Sequence, residues 1–170
     1  MKIIKPRIYL ASQSSRRREL LKQIGINFEM LLLRSSPGRS VGVDETPHSG
    51  EPPEDYVRRV CRAKVEAGCA ALGLRSLPPF PVLAADTTVA LGGHVETALS
   101  TSTVRFAALD EERIQRYLLT REYTDKAGAY AIQGHAGAFV EHISGSYSGV
   151  MGLPLFETVQ LLQHFDYPTP

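Results

Sequence analysis

I-Y-L-A-S-Q-S-S-R-R-R-E-L-L, residues 8–21, is the stretch from which the fold can be predicted. Residues 8–11 are apolar or aromatic throughout, which is typical of a short buried strand. Leu20, Leu21 and Ile24 then follow at helical spacing, and Gly25 is a residue that commonly ends a helix. The stretch therefore predicts a strand that leads directly into a helix.

The turn between this strand and this helix is rich in hydroxyl and guanidinium groups. Residues 12–18 contain three serines and three arginines. The first turn of a helix has backbone N–H groups without intrahelical partners, and with Ser12, Ser14, Arg16 and Arg17 these groups suit a phosphate chain. Cations at a helix N-terminus oppose the helix dipole, and a bound anion would remove that conflict. The alternative is a solvated basic turn without a function.

The same residues resemble a known family signature. A-S-Q-S-S-R-R-R-E-L-L, residues 11–21, is similar to A-S-x-S-P-R-R-x-E-L-L of the Maf family, with Ser15 in place of the usual proline. The other motifs of that family can be compared with the rest of the chain.

Composition limits the classes of protein to which the chain can belong. Its 170 residues fit one domain, or one domain with two lobes, and its net charge of +1 argues against a nucleic-acid partner. No apolar run is long enough to cross a bilayer and no signal-peptide core follows Met1, so we expect a cytoplasmic protein without a membrane partner. Cys61 and Cys69 fall in one predicted helix, about 12 Å apart along its axis. That distance is too long for a disulfide, so we expect both thiols to be reduced.

A second apolar run and a long loop follow the first helix. Residues 28–33 predict a strand that pairs with the first one, and residues 34–53 are rich in Ser, Gly and Pro. Loops of this length in compact domains are usually functional or mobile. The loop contains Asp44 and Glu45, which are either solvated charges or, as the resemblance to Maf proteins implies, acids that approach a metal and phosphates.

Pro53 begins a predicted helix over residues 53–72. Val57, Val60 and Cys61 define its buried stripe, and Lys64 is the next position on that stripe. A lysine there either extends its amine to the surface or directs it into a polar cleft. Y-V-R-R-V-C-R-A-K, residues 56–64, resembles the second Maf motif, whose final lysine lies in the active site.

Residues 80–85 predict a buried strand that ends at Asp86 and Thr87. A carboxylate at the carboxyl end of such a strand is well placed for catalysis, although aspartate is also common in turns and caps. V-L-A-A-D-T-T-V, residues 82–89, resembles the third Maf motif. The resemblance implies that Asp86 is the general base or a metal ligand and that Thr87 belongs to the substrate site.

The chain then departs from the family pattern. Maf proteins continue with a hairpin that carries G-K-P-x-D, a helix and a further strand, whereas here Gly92 and Gly93 run directly into His94. Either the chain has lost this segment, or the protein contains it and this sequence does not. We favour the second explanation, because the flanking motifs are intact and loss of a core strand and helix should be severely destabilising. On that hypothesis a segment is missing between Gly93 and His94.

The last third of the chain contains the densest match. Residues 94–106 predict one long strand, and Asp110 caps a helix that ends near Thr120. D-K-A-G-A-Y-A-I-Q-G, residues 125–134, resembles the Maf motif D-K-A-G-A-Y-G-I-Q-G, which implies substrate-binding roles for Lys126 and Gln133. The alternative for Gln133 is a buried amide that satisfies backbone groups. V-M-G-L-P-L, residues 150–155, resembles the closing motif of the family, and a final helix is predicted to begin at Pro154 and to end near residue 165.

The five motifs extend over nearly the whole chain in the family order. The resemblance implies one Maf-like domain over residues 1–170, with an α/β fold similar to inosine triphosphate pyrophosphatases. In that fold two lobes share a central mixed, twisted sheet and an active-site cleft. It also implies hydrolysis of a nucleoside triphosphate to the monophosphate and pyrophosphate with a divalent cation (Mg, Mn or Co). The D-K-A-G-A-Y-x-I-Q-G form resembles the branch that acts on dTTP and UTP, and family members are often homodimers.

A second hypothesis is a regulator of septation that binds nucleotide without turning it over. This hypothesis requires that the protein truly lacks the family segment that carries G-K-P-x-D. An intact mass of about 18.7 kDa would support real truncation, and a clearly larger mass would support a missing segment.

Overall fold

Strand β1 lies inside a five-stranded mixed sheet with the order β2-β1-β5-β6-β7. In chain order the elements are β1 (Ile8–Ala11), α1 (Ser15–Gln23), β2 (Phe28–Met30), β3 (Ser35–Ser36), β4 (Arg39–Ser40), α2 (Pro53–Leu74), β5 (Val82–Ala84), β6 (Thr88–Leu91), β7 (His94–Thr97), β8 (Thr103–Phe106), α3 (Glu111–Leu119), β9 (Val140–Ser144), α4 (Tyr147–Met151) and α5 (Leu155–His164), with 3₁₀ turns at Ala127–Ala129 and His135–Phe139. β2 and β5 flank β1 in parallel, whereas β6 and β7 continue the sheet antiparallel. The predicted α/β class and the central mixed sheet are confirmed.

The computed structural model describes residues 6–33, 43–84, 87–124 and 126–170, and the backbone of β3 and β4. The chain divides into two compact units, Met1–Leu99 with Gly152–Pro170, and Ser100–Met151. The single domain over residues 1–170 stays a prediction. In the part of the chain that the structure describes, every helix is too short or too polar to cross a membrane.

Local signals explain where the helices of the first unit begin and end. The hydroxyl of Ser14 caps α1, which stops just before Gly25, a residue with a positive φ of 70°. Pro53 occupies the first position of α2, where its missing N–H leaves no intrahelical bond unmade. Cys61 and Cys69 both lie in α2, as predicted.

Helix α2 packs on the sheet to form the core of the first unit. Val65 of the helix and Tyr9 and Val82 of the sheet belong to one buried apolar cluster. Gly68 lets the helix approach closely, because a Cβ at this position would lie 2.8 Å from Cγ1 of Val82. This packing fixes the direction in which the polar side chains near the helix N-terminus project.

The sequence prediction of one strand over residues 94–106 is wrong. Strand β7 pairs with β6 across a two-residue turn at Gly92 and Gly93, whose φ values are 60° and 84°. Strand β8 instead pairs with β9 in the second unit. Apolar and β-branched alternation continues through both strands, so the local pattern does not reveal that they join different sheets. The missing segment between Gly93 and His94 stays a prediction.

The described part of the second unit comprises the antiparallel pair β8–β9, helices α3 and α4, and the two 3₁₀ turns. Asp110 caps α3 by accepting a hydrogen bond from the N–H of Arg113 at 2.8 Å, as predicted. Phe106 and Tyr130 pack edge to face with ring centroids 5.0 Å apart. No residue of α3 is buried, and the buried residues among the described part of this unit are Ala131, Ile132 and Ala136, so its core is small.

Candidate functional site

A cavity of about 480 Å³ lies in the first unit, beyond the carboxyl ends of β1 and β2. It is lined by Ala11, Ser12, Gln13, Ser14, Arg17, Leu31, Leu32, Leu33, Val43, Glu45 and Lys64. Parallel neighbouring strands end at the same edge of a sheet, so the polar turn after β1 meets the segment after β2 there. This edge is where ligands bind in open α/β sheets.

The serines and one arginine of the first turn are connected by hydrogen bonds. The Ser12 hydroxyl accepts from the N–H of Ser14 at 3.2 Å and from Nη1 of Arg17 at 2.8 Å. Nε of Arg17 donates to the carbonyl oxygen of Gly152 at 2.8 Å. The guanidinium is therefore fixed at the cavity edge beside the N-terminus of α1. Arg16, which we also predicted to bind phosphates, is not among the described lining residues.

Lys64 directs its amine into this cavity. Its Nζ lies 2.7 Å from Oε2 of Glu45, and the lysine side chain is 19% exposed. The Glu45 side chain is 55% exposed, so the pair sits at the solvent boundary of the cavity. This placement matches the polar-cleft alternative for Lys64, and its role toward phosphates stays a prediction.

The segment that carries Glu45 is anchored to α2 by residues that the motifs did not single out. Arg59 donates through Nε and Nη2 to the two carboxylate oxygens of Glu51, at 2.6 and 2.7 Å, and through Nη2 to the carbonyl oxygen of Thr46 at 3.1 Å. The Tyr56 hydroxyl donates to the carbonyl oxygen of Glu45 at 3.0 Å. The hydrogen bond from Arg59 lowers the pKa of the Glu51 carboxyl to about 2. These contacts of α2 with residues 45–51 require the chain to reverse direction before Pro53, and the sequence around Pro53 does not indicate that reversal.

We expect the Glu51→Gln variant to lose stability at neutral pH. Because the pKa of Glu51 is about 2 when folded and 4.5 ordinarily, its charge stabilises the fold above pH 4.5, and this contribution is lost as pH falls from 4.5 toward 2. The difference in unfolding free energy between wild type and variant should therefore shrink across that range. Urea unfolding followed by circular dichroism between pH 2 and 7 measures it.

Glu66→Gln is the matched control for this prediction. Glu66 also pairs with an arginine of α2, Arg62, but both side chains are more than half exposed, so little stability should depend on the pair. A Glu51→Gln difference that is independent of pH would contradict the prediction.

The second predicted acid of this loop is placed differently. The carboxylate of Asp44 accepts a hydrogen bond from the N–H of Thr46 at 2.9 Å, and hydrogen bonding from Thr46 lowers the pKa of Asp44. Asp44 is exposed and is not among the described residues that line the cavity. The described residues contain no group of three or more His, Cys, Asp and Glu side chains placed to hold a metal. The metal-binding role of Asp44 stays a prediction.

The structure describes only part of the third motif, residues 82–89. Asp86 lies outside the described residues. Thr87 is fully buried and has a positive φ of 79°, which is uncommon for a β-branched residue. Its Oγ1 has no hydrogen-bond partner among the residues that the structure describes, and its carbonyl oxygen accepts from the N–H of Ala98 at 2.9 Å. Strained backbone of this kind is enriched at functional sites.

Lys126 and Gln133 both belong to the second unit. Nζ of Lys126 donates to the carbonyl oxygen of Thr124 at 3.4 Å, a long hydrogen bond. Gln133 is exposed, so the alternative of a buried amide is wrong. Its predicted role as a substrate-binding residue is not tested by this placement and stays a prediction.

A comparison with known families decides the assignment of the chain. The family profile described as "Maf-like protein" matches residues 7–98 and 92–165. The chain belongs to the Maf family. The family assignment made from the five motifs is thereby confirmed.

Three curated proteins that are similar to this Maf chain share one functional name. The dTTP/UTP pyrophosphatase of Aromatoleum aromaticum is 47% identical over 205 aligned residues, which cover 99% of this chain and 100% of the relative. The proteins of the same name from Nitrosomonas europaea and Nitrosospira multiformis are 47% and 45% identical, over 92% and 96% of this chain and 93% and 96% of their own lengths. Since this chain has only 170 residues, part of the Aromatoleum protein has no counterpart in it.

Proposed function

We propose that this chain hydrolyses nucleoside triphosphates, with dTTP and UTP preferred, to the monophosphate and pyrophosphate. The observation that carries the proposal is identity of 42–47% over nearly the full chain to relatives named dTTP/UTP pyrophosphatase. The chemistry of the cavity supports it independently, since the cavity combines the N-terminus of a helix with a guanidinium, an ammonium and two hydroxyl groups.

Different residues of the cavity are proposed to contact different parts of the triphosphate. Arg17 and the hydroxyls of Ser12 and Ser14 bind the phosphate chain together with the backbone N–H groups that open α1. Lys64 adds a second positive charge to the cavity, and it exchanges its bond to Glu45 for one to a phosphate oxygen. Arg16 is proposed to contact the same phosphates.

The reaction is attack of water on the α-phosphorus. Asp86 accepts the proton of that water, the bond from the α-phosphorus to the bridging oxygen breaks, and pyrophosphate leaves with that oxygen. The cations around the cavity stabilise the negative charge that develops on the phosphate oxygens. Thr87, immediately after Asp86, is proposed to hold this part of the chain in place for the substrate.

A divalent cation fits this arrangement. Magnesium that is bound together with a triphosphate uses only one or two protein carboxylates and keeps several waters. Glu45, the one described carboxylate that lines the cavity, supplies that number together with Asp86, and Asp44 lies next to Glu45 in the chain. The cation would offset the charge of the phosphates and favour deprotonation of water; manganese and cobalt accept similar ligands.

Base choice is assigned to Gln133. Its amide offers a carbonyl oxygen and an NH₂ group, which complement the N3–H and O4 edge of uracil or thymine. We expect dTTP and UTP to be cleaved faster than CTP, GTP, 7-methyl-GTP and inosine triphosphate. Gln133→Ala and Gln133→Glu should reduce that preference. The measurement is kcat/KM from pyrophosphate release, with magnesium, manganese or cobalt present.

The outcomes of this panel are distinct. If 7-methyl-GTP or inosine triphosphate is cleaved best, the proposed base choice is wrong and the reaction type stands. If no triphosphate releases pyrophosphate, the proposed hydrolase activity is wrong. Nucleotide binding without turnover would then support the second hypothesis, a regulator of septation. The intact mass of the purified protein should be measured alongside. The cytoplasmic location and the homodimer stay predictions.

A further inference from the structure

Gln133 sits in a turn whose shape is set by backbone hydrogen bonds. The N–H of Gly134 donates to the carbonyl oxygen of Ala131 at 3.0 Å, so Ile132 and Gln133 are the two central residues of the turn. Ile132 is buried, whereas Gln133 is exposed. The turn therefore anchors one side chain and presents the next one to solvent.

The carboxylate of Glu122 holds the residues that follow this turn. It accepts hydrogen bonds from the N–H groups of His135 at 3.0 Å and Ala136 at 3.3 Å. Nδ1 of His135 lies 3.3 Å from the same carboxylate, and the Glu122 side chain is only 18% exposed. These N–H groups open the 3₁₀ turn His135–Phe139, where backbone donors have no partner inside the turn. Glu122 supplies the partner from a distant part of the chain.

Glycine at position 134 makes room for this carboxylate. A Cβ there would lie 1.8 Å from Oε1 of Glu122 and 2.5 Å from its carboxyl carbon. The φ of Gly134 is −115°, outside the left-handed region, so the sign of φ does not explain the glycine. The close approach of Glu122 does.

We propose that Glu122 is a positioning residue for Gln133. The inference rests on the proposed function, in which Gln133 reads the base. An amide discriminates between bases only when its donor and acceptor are held in a fixed orientation. Glu122 provides that orientation through the backbone directly after Gln133, and Gly134 permits it. Glu122 itself contacts no substrate.

The electrostatics of Glu122 support this role. Burial by itself would raise the pKa of the carboxyl, but hydrogen bonds from the N–H groups of His135 and Ala136 and from the His135 ring outweigh it, so the pKa lies below its ordinary value. The carboxylate is therefore charged at neutral pH and able to accept all three bonds.

The first arm of the test needs no substrate. In the free protein, NMR hydrogen exchange of the His135 and Ala136 amides should be clearly faster in Glu122→Ala than in wild type. Glu122→Gln, which keeps one carbonyl oxygen, should restore part of the protection. Glu141→Ala is the matched control, because Glu141 is a half-exposed acid of the same unit that pairs with Arg105, and it should leave both amides unchanged.

The second arm is substrate preference. We expect the ratio of kcat/KM for dTTP to that for CTP to fall about tenfold in Glu122→Ala, the value of roughly one hydrogen bond, and to recover partly in Glu122→Gln. Gly134→Ala should behave like Glu122→Ala, because the added methyl group displaces the carboxylate. The double variant should be no worse than either single one, since both changes break the same contact.

Failure of this proposal can be told apart from failure of the proposed function. If wild type cleaves no triphosphate, the proposed function fails, and unchanged amide exchange in Glu122→Ala and Gly134→Ala would still overturn the placement of the turn by Glu122. An equal loss of activity toward dTTP and CTP would overturn the positioning role, because it indicates general loss of structure. If Glu122→Ala does not fold, Glu122→Gln and Gly134→Ala carry both arms, and a preference that neither of them alters overturns the proposal.

Discussion

Asp86→Asn should lower kcat for dTTP by about 10²- to 10⁴-fold, the usual contribution of a general base. Asparagine has nearly the same shape as aspartate but cannot accept the proton of the attacking water. It is also a weaker ligand for a divalent cation, which would add to the loss. Asp86 follows β5, a strand whose residues are fully buried, and the substitution adds no bulk there, so we expect the variant to fold.

Pyrophosphate release under saturating dTTP measures this effect, and circular dichroism and thermal unfolding establish that the variant is folded. Asp166→Asn is a matched control, because Asp166 is an exposed aspartate after α5 that no motif assigns to the site. It should keep the wild-type rate. Turnover near the wild-type rate in a folded Asp86→Asn protein would remove Asp86 from the mechanism.

Lys64→Met should lower kcat/KM for dTTP by about 10- to 100-fold, because a charge-assisted hydrogen bond to phosphate is lost. Methionine keeps most of the aliphatic stem that packs along α2. The ion pair with Glu45 lies at the solvent boundary, with the lysine 19% and the glutamate 55% exposed. Such pairs contribute about 1 kcal/mol or less to folding, so the melting temperature should fall by only a few degrees.

Arg62→Met is the matched control for Lys64. It removes another positive charge from α2, but one that pairs with the exposed Glu66 and does not line the cavity. Its catalytic constants should be unchanged. If Lys64→Met cleaved dTTP at the wild-type rate, the phosphate role of Lys64 would be wrong, whatever its melting temperature.

The elements that could be predicted from sequence are those with strong local signals. Pro53 and Asp110 were each predicted to mark the start of a helix, and both helices begin there. The strand predicted over residues 94–106 failed because pairing partners are distant in sequence. β7 pairs with its neighbour in the chain, whereas β8 pairs with a strand more than thirty residues later.

In the candidate site, too, features with a local sequence signal could be predicted and contacts between separate segments could not. That Ser12, Ser14 and Arg17 lie together at the cavity could be predicted because they are close in sequence, and that Lys64 faces a polar cleft because it interrupts an apolar stripe. The contacts of Glu45 with Lys64 and of Glu51 with Arg59 join the loop before α2 to the first half of that helix. Opposite charges at such separations are too common in any sequence to indicate a contact, so these pairs could only be found in the structure.

The carbonyl oxygen of Gly152 that holds Arg17 belongs to the last part of the chain to be synthesised. At about 5–20 residues per second, translation of the whole second unit takes on the order of several seconds. During that time residues 1–99 have been synthesised, but α5 and Tyr167, whose hydroxyl accepts a hydrogen bond from the N–H of Asn27, have not. The nascent chain therefore contains Arg17, which we propose to bind phosphates, before the carbonyl oxygen of Gly152 can accept from its Nε. A ribosome-bound intermediate stalled before residue 152 should bind triphosphate poorly, however well its sheet has formed.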